Sequence, residues 1–184
     1  MKQSNTKGRV ARAVIADAGP LIALARIDHL QLLRSLYGKV IVPTVVWREV
    51  TSAGTFNDIQ AINIAHTKAW LEVAPEEVDL NLGPTSPLWI IEAGERAAIT
   101  LALEFQKNGT EPLLILDDAA ARASAKIFSL AMIGTLGLLL RAKTLGFISE
   151  VIPFATKLQK SGYFFSATLI ASVAERTGES APLS

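Results

Sequence analysis

A chain of 184 residues that is 50% hydrophobic, with 12 glycines and 8 prolines, can build one domain with a sizeable core and is not a disordered chain. Its formal net charge of +1 lacks the basic excess of a protein that coats nucleic acid, so any nucleic-acid contact depends on a local patch. The absence of cysteine excludes disulfides and thiolate metal sites, and the two histidines, His29 and His66, are far apart and read as helix-surface residues rather than zinc ligands.

Met1 to Gly8 has the composition of a frayed start, and residues 1–9 are expected to be flexible. The apolar segment that follows is broken by Asp17 and Pro20, which is wrong for a signal peptide. The apolar run Ile127 to Leu140 contains two glycines and is shorter than the roughly 20 residues of a spanning helix. These features point to a soluble, cytoplasmic protein with no membrane partner.

In chain order, Val10 to Ala16 is a short apolar strand that ends on an acid, Asp17. Ala-Gly-Pro follows, then a helical segment, Leu21 to Ile27. Asp is a favoured helix N-cap and Pro is tolerated in a first turn, so Asp17 is either a cap or a site residue. His29 to Tyr37 carries Leu30, Leu33 and Leu36 at helical spacing and stops at Gly38. Val40 to Val42 is a further strand, closed by Pro43. Thr44 then opens a helix on which Val45, Val46, Glu49 and Val50 share a face, pointing Glu49 toward the protein. An unpartnered carboxylate there is costly and calls for a cation, an Arg or a proton.

Thr51 to Asn57 reads as loop, Asp58 to Trp70 as an amphipathic helix, and Leu71 to Val73 as a short edge strand. Ala74 to Pro87, rich in proline, is a long irregular segment of the kind that forms a substrate-facing lip. Gly94-Glu95-Arg96 opens a helix to about Lys107, with Glu95 in its first turn, where an acid suits the helix dipole. Pro112 to Leu116 is an unbroken apolar strand ending at Asp117-Asp118. The helix after it carries Arg122 and Lys126 four residues apart. Leu130 to Ile133 is another strand, Gly134-Thr135 a turn into the helix Leu136 to Leu145, Ser149 a cap for a helix toward Lys160, and Ser166 a cap for a last helix to Arg176.

Short apolar runs alternating with helices are the signature of an α/β domain: a three-layer αβα sandwich around a central, mainly parallel sheet, here one domain over residues 1–184. In such folds ligands bind at the carboxyl ends of the strands. Asp17, Asp117 and Asp118 end strands, and Glu49 and Glu95 lie in the early turns of helices that start at the same edge. Carboxylates gathered in one pocket repel, and the usual remedy is a divalent cation. Oxygen ligands without His or Cys favour Mg²⁺ or Mn²⁺. Arg48, Arg96, Arg122 and Lys126 are the candidates for holding a phosphate backbone.

Five segments taken together resemble a PIN-domain protein: Val14-Ile15-Ala16-Asp17-Ala18-Gly19-Pro20, Pro43 to Val50 with Glu49, Gly94-Glu95-Arg96-Ala97-Ala98, Leu116-Asp117-Asp118-Ala119 with Arg122, and Gly134-Thr135-Leu136-Gly137. The likeness is to the prokaryotic branch related to the toxins of VapBC toxin-antitoxin pairs, and it covers nearly the whole chain. The resemblance implies a Mg²⁺- or Mn²⁺-dependent endoribonuclease acting on single-stranded RNA, with a protein antitoxin as a possible partner. It matches Asp17, Glu49, Glu95 and Asp118 to catalytic positions and Asp17, Glu95, Asp117 and Asp118 to metal positions, with Asp117 and Asp118 not separated. The chain departs from the common toxin pattern at Ala18, where a hydroxyl residue often follows the first acid, and at Glu95, where many members have Asp.

Two other classes compete. One is a catalytically weak or inactive PIN-like module that binds RNA or protein, with the acids serving as caps and ion-pair partners. The other, a receiver-type phosphotransfer domain, needs a strand-borne Lys that no strand here supplies. The apolar residues Phe164-Phe165 and Leu169-Ile170 are a candidate homodimer surface.

Overall fold

The computed structural model describes residues 12–53, 55–74, 83 and 85–180. The strands β1 (Arg12–Ala16), β2 (Val40–Val42), β3 (Leu71–Val73), β4 (Glu111–Ile115) and β5 (Ala131–Ile133) form a single sheet in the order β3-β2-β1-β4-β5, and every pairing is parallel. β1 lies flush against β4, with Ala13 opposite Pro112 and Ala16 opposite Ile115.

The apolar runs become strands because both of their faces are covered. Val14, Ala16, Leu113 and Ile115 enter one core, and Ile15, Leu114 and Leu116 enter the other, the period-two alternation of a sheet buried on both sides. The first core is closed by α1 (Ala18–Arg26), α2 (Gln31–Tyr37), α3 (Thr44–Ala53), α4 (Phe56–Thr67), α7 (Thr135–Thr144), α8 (Ile152–Lys160) and α9 (Ala167–Thr177). The second is closed by α5 (Ala93–Lys107), α6 (Ala119–Ile127) and the 3₁₀ turn Pro87–Ile90. This is the three-layer α/β sandwich expected from the sequence. No helix among the described residues is long and apolar enough to cross a membrane.

Local signals differ from the sequence reading in two places. The expected loop from Thr51 to Asn57 is mostly helix: α3 runs to Ala53 and α4 begins at Phe56, two residues before the expected start. The Thr55 hydroxyl accepts from the Asp58 N–H at 3.3 Å while the Asp58 carboxylate accepts from the Thr55 N–H at 3.2 Å, a capping box that moves the start upstream. Asp58 is buried and also meets Arg26 at 3.4 Å, so it anchors α4 to α1. Ser149 does not cap α8. The Glu179 carboxylate does so from beyond α9, accepting from the Val151 and Ile152 N–H groups at 2.9 and 2.7 Å and from Lys143 Nζ at 2.7 Å. Ser166 caps α9 as its sequence suggests, accepting from the Leu169 N–H at 3.2 Å. Residues 1–9, expected to be flexible, and most of the segment from Ala74 to Pro87, expected to form a lip, lie outside the described residues.

Candidate active site

The chain proceeds from β1 outward through β2 and β3, then returns to the other side of β1 for β4 and β5. Between β1 and β4 the helices that follow lead to opposite faces, α1 into the first core and α6 into the second. That divergence opens a crevice at the carboxyl ends of the two strands, where α/β proteins hold their ligands. The Asp17 N–H donates to the Ile115 carbonyl at 3.1 Å and the Leu116 N–H to the Ile133 carbonyl at 3.0 Å, so β1, β4 and β5 deliver their last residues to one rim.

Asp17 stands at the N-cap position of α1, yet its side chain makes no capping hydrogen bond there. It is 8% exposed. Burial pushes its carboxyl up to about 7; the N–H groups of Ala18 and Gly19 oppose that rise, and the charges of Glu49 and Glu95 add to it. A capping role alone would hold such a group ionised at low pH. Here desolvation and like charge outweigh the helix amides.

Glu49 corrects one expectation. Val46 and Val50 are buried, but Glu49 is largely exposed as a residue. Its carboxylate nevertheless turns onto the rim: a Cβ placed on Gly94 would stand 2.8 Å from Glu49 Oε2 and 3.4 Å from Asp17 Oδ1. The two carboxylates therefore flank a position that only glycine leaves open. Burial, and the charge of Glu92, raise the Glu49 carboxyl.

Glu95 sits in the first turn of α5, and its Oε2 accepts from the Glu92 N–H at 3.1 Å. Its carboxyl is raised by burial, opposed by that N–H, and raised further by the charges of Asp118, Glu92 and Glu49. Asp17, Glu49, Glu92, Glu95 and Asp118 thus feel one another across the crevice. Glu92 was not singled out from the sequence. Its place immediately before the Gly94-Glu95 helix start was the available signal.

The adjacent acids Asp117 and Asp118 have separate tasks. Both Asp117 oxygens are taken by Thr135: Oδ1 accepts from its N–H at 2.8 Å and Oδ2 from its hydroxyl at 2.5 Å. Burial raises the Asp117 carboxyl against the lowering effects of Thr135 and Arg122. Gly134 allows the approach, since a Cβ there would lie 2.7 Å from Asp117 Oδ1. Asp118 is exposed and caps α6 with one oxygen, Oδ1, accepting from the Ala121 N–H at 2.8 Å.

The candidate phosphate-holding cations are dispersed. Arg96 donates toward the Leu88 and Ile91 carbonyls at 3.5 and 3.4 Å and lies over the Trp89 ring, fastening the 3₁₀ turn to α5. Arg122 donates to the Leu116 carbonyl at 2.8 Å, beside Asp117. Lys126 is exposed in the last turn of α6, roughly 12 Å along the helix from Asp118 at 1.5 Å per residue. Arg48 is exposed on α3 next to Glu49.

A further participant comes from the segment before α9. The Tyr163 hydroxyl lies 3.0 Å from where a Cβ on Gly19 would stand, with Asp17 Oδ2 at 3.9 Å from the same point. Burial, with the charges of Asp117 and Asp17, raises this phenol well above its ordinary value. No local pattern marks Tyr163, because Gly19 and Asp17, which it meets at the rim, are more than a hundred positions earlier in the chain.

None of the ion pairs among the described residues involves Asp17, Glu49, Glu95 or Asp118. Nor, among those residues, are three or more acid or histidine side chains closed tightly enough to hold a metal ion as they stand. A family model described as a PIN domain matches residues 13–179, a span that includes every acid of the rim and Tyr163. No curated protein sequence matches the chain.

Proposed function

Because the chain belongs to the PIN-domain family, whose members are in general metal-dependent nucleases, we propose that it is an endoribonuclease that hydrolyses phosphodiester bonds of single-stranded RNA. The observation that carries this reading is the buried Asp17, held near pH 7 by desolvation and by Glu49 and Glu95, with no cationic side chain among the described residues paired to it. Such a cluster calls for an inorganic counter-charge.

The donors fit Mg²⁺ or Mn²⁺: all are carboxylate oxygens, cysteine is absent, and His29 and His66 are engaged by the Ile27 and Leu71 carbonyls, in the turn after α1 and at the end of α4. Asp17 would hold the ion with Glu95 and the oxygen of Asp118 not used in capping. The bound cation supplies a more acidic water and neutralises charge on a phosphoryl oxygen. Glu49, whose raised carboxyl lies at the rim, would orient the attacking water and take its proton. Asp117 acts on the frame, holding Gly134-Thr135 and so the rim of β5 against β4.

The test is cleavage of an unstructured RNA with and without Mn²⁺. Cleavage should require the metal and disappear in Asp17→Asn; cleavage in EDTA, or full activity of the variant, would refute the assignment. A second reading, a module that binds RNA without cutting it, draws on the partial engagement of Glu95 and Asp118 in caps. It requires that calorimetry detect no Mn²⁺ binding that Asp17→Asn abolishes. If the protein is a toxin, as the motif resemblance suggests, its partner is a small protein antitoxin, and co-expression of that partner should suppress RNA cleavage in cells.

A further inference from the structure

A cleft runs away from the acid rim between β5 and α7 on one side and the segment from Tyr163 into α9 on the other. Its volume, ≈ 560 Å³, falls within the roughly 300–1,000 Å³ of clefts that bind small molecules. Asp117, Gly134 and Tyr163 are among its lining residues; the Tyr163 hydroxyl also stands beside Gly19 and Asp17, and Asp117 immediately precedes Asp118. The cleft therefore lies next to the acid rim.

Three features specify what the cleft can take. The first is Phe164, which borders the cleft while 87% exposed, beside a buried Phe165 that fixes the segment to the core. A flat apolar ring held in water at a cleft mouth is a stacking platform. The second is charge: Arg122 and Arg176 line the cleft, and the one acid among the described lining residues, Asp117, has both oxygens committed to Thr135. Arg176 forms no ion pair among the described residues. The third is position: Tyr163 borders both the cleft and Asp17, so the cleft begins where a strand cut at the rim would leave it.

We infer that this cleft is a subsite for unpaired nucleotides flanking the cut bond, with Phe164 stacking on a base and Arg122 and Arg176 meeting the strand's phosphates. The inference rests on the ribonuclease reading for the identity of the strand. A protein segment would use the apolar walls but has no need of two guanidinium groups, whereas a nucleic-acid strand uses both. Bases in a duplex are already stacked on one another, so the subsite selects single strands.

The experiment measures binding of a short fluorescein-labelled oligouridine by anisotropy in EDTA, where nothing is cut. Phe164→Ala should weaken binding roughly tenfold or more, the loss of one stacked base. Arg176→Ala should also weaken it and lower the slope of log affinity against log salt by about 0.7. Against an abasic ribose-phosphate strand, Phe164→Ala should change nothing while Arg176→Ala still weakens binding. Both side chains are exposed, so melting temperatures should stay at the wild-type value. Unchanged oligouridine binding in both variants would overturn the inference, as would an equal loss by Phe164→Ala on the abasic strand. A change from dimer to monomer in Phe164→Ala with RNA affinity intact would overturn it too, and assign the cleft to contact between copies. The ribonuclease reading fails on a different measurement, cleavage by Asp17→Asn, so either idea can fall alone.

Discussion

Replacing Asp17 by Asn should stabilise the metal-free protein, and the size of the effect follows from the burial of the carboxylate. The gap between the ordinary value of 3.8 and about 7 in the folded chain corresponds to about 4 kcal/mol at pH 8, at 1.36 kcal/mol for each tenfold change. Between these values the folded state binds a proton that the unfolded chain has lost. Stability therefore falls as pH rises from about 4 to about 7. Asn keeps an oxygen to face the Ala18 and Gly19 N–H groups but brings no charge to repel Glu49 and Glu95.

In EDTA the variant should gain about 4 kcal/mol over wild type at pH 8, and less than about 2 kcal/mol at pH 5, where wild-type Asp17 is already protonated in the fold. For a chain of this size the pH 8 gain is about 10 °C in melting temperature. Glu49, Glu95 and Asp117 are raised as well and Glu179 is lowered, but these are common to both proteins and largely cancel in the comparison. Urea unfolding of the pair at pH 5 and pH 8 reads the effect directly. Mn²⁺ added at pH 8 should raise the wild-type midpoint and leave the variant's in place. A variant no more stable than wild type at pH 8, or equally favoured at both pH values, would show that Asp17 carries no strain from burial and repulsion.

Gly94→Ala should leave stability unchanged or raise it by up to about 1 kcal/mol, since Ala is the better helix residue. The new Cβ would displace Glu49, so RNA cleavage should fall by roughly 10²-fold, the cost of about 1 Å of misplacement. Asp117→Ala leaves the Thr135 N–H and hydroxyl without their acceptor, and urea unfolding should show a loss of about 1–3 kcal/mol. Asp118→Asn keeps an N-cap at α6 and should change stability by under about 0.5 kcal/mol while lowering metal-dependent cleavage, which separates the two neighbours by assay. Glu179→Gln should cost about 1–3 kcal/mol near neutral pH. Burial pulls the Glu179 carboxyl up, but Lys143 and the Ile152 and Val151 N–H groups outweigh it and hold it below the ordinary value of 4.5. Its stabilisation is therefore present above the ordinary carboxyl range and lost as pH falls through the lowered value, so the wild-type advantage should close in acid.

The strands and their termini were legible because burial on both faces leaves uninterrupted apolar runs that acids end abruptly, as at Ala16-Asp17 and Leu116-Asp117. The Thr55-x-x-Asp58 capping box was equally present in the chain, although Thr51 to Asn57 reads as loop. What could not be read is whatever depends on distance across the fold. The helical spacing puts Glu49 on the face of Val46 and Val50, yet the residue is exposed, and its carboxylate reaches the rim only by folding back over Gly94. Glu179 capping α8, and Tyr163 reaching Asp17, join positions with no local pattern between them.

Asp117 and Asp118 show how strand alternation divides two identical residues. Leu114 and Leu116 face the second core and Ile115 the first, so the next position on the first-core side is Asp117, and it meets the start of α7. Asp118 falls where the backbone has already turned into α6, and there one oxygen suffices for the cap. The half-buried acid of the pair is thus satisfied by the frame, while the exposed one retains an oxygen for the crevice. Asp17 is the exception, a buried carboxylate that the Ala18 and Gly19 N–H groups only partly offset and that no ion pair among the described residues neutralises. Folds tolerate that kind of local expense where chemistry needs it, and the stability gained by neutralising Asp17 measures how much of it a bound cation would return.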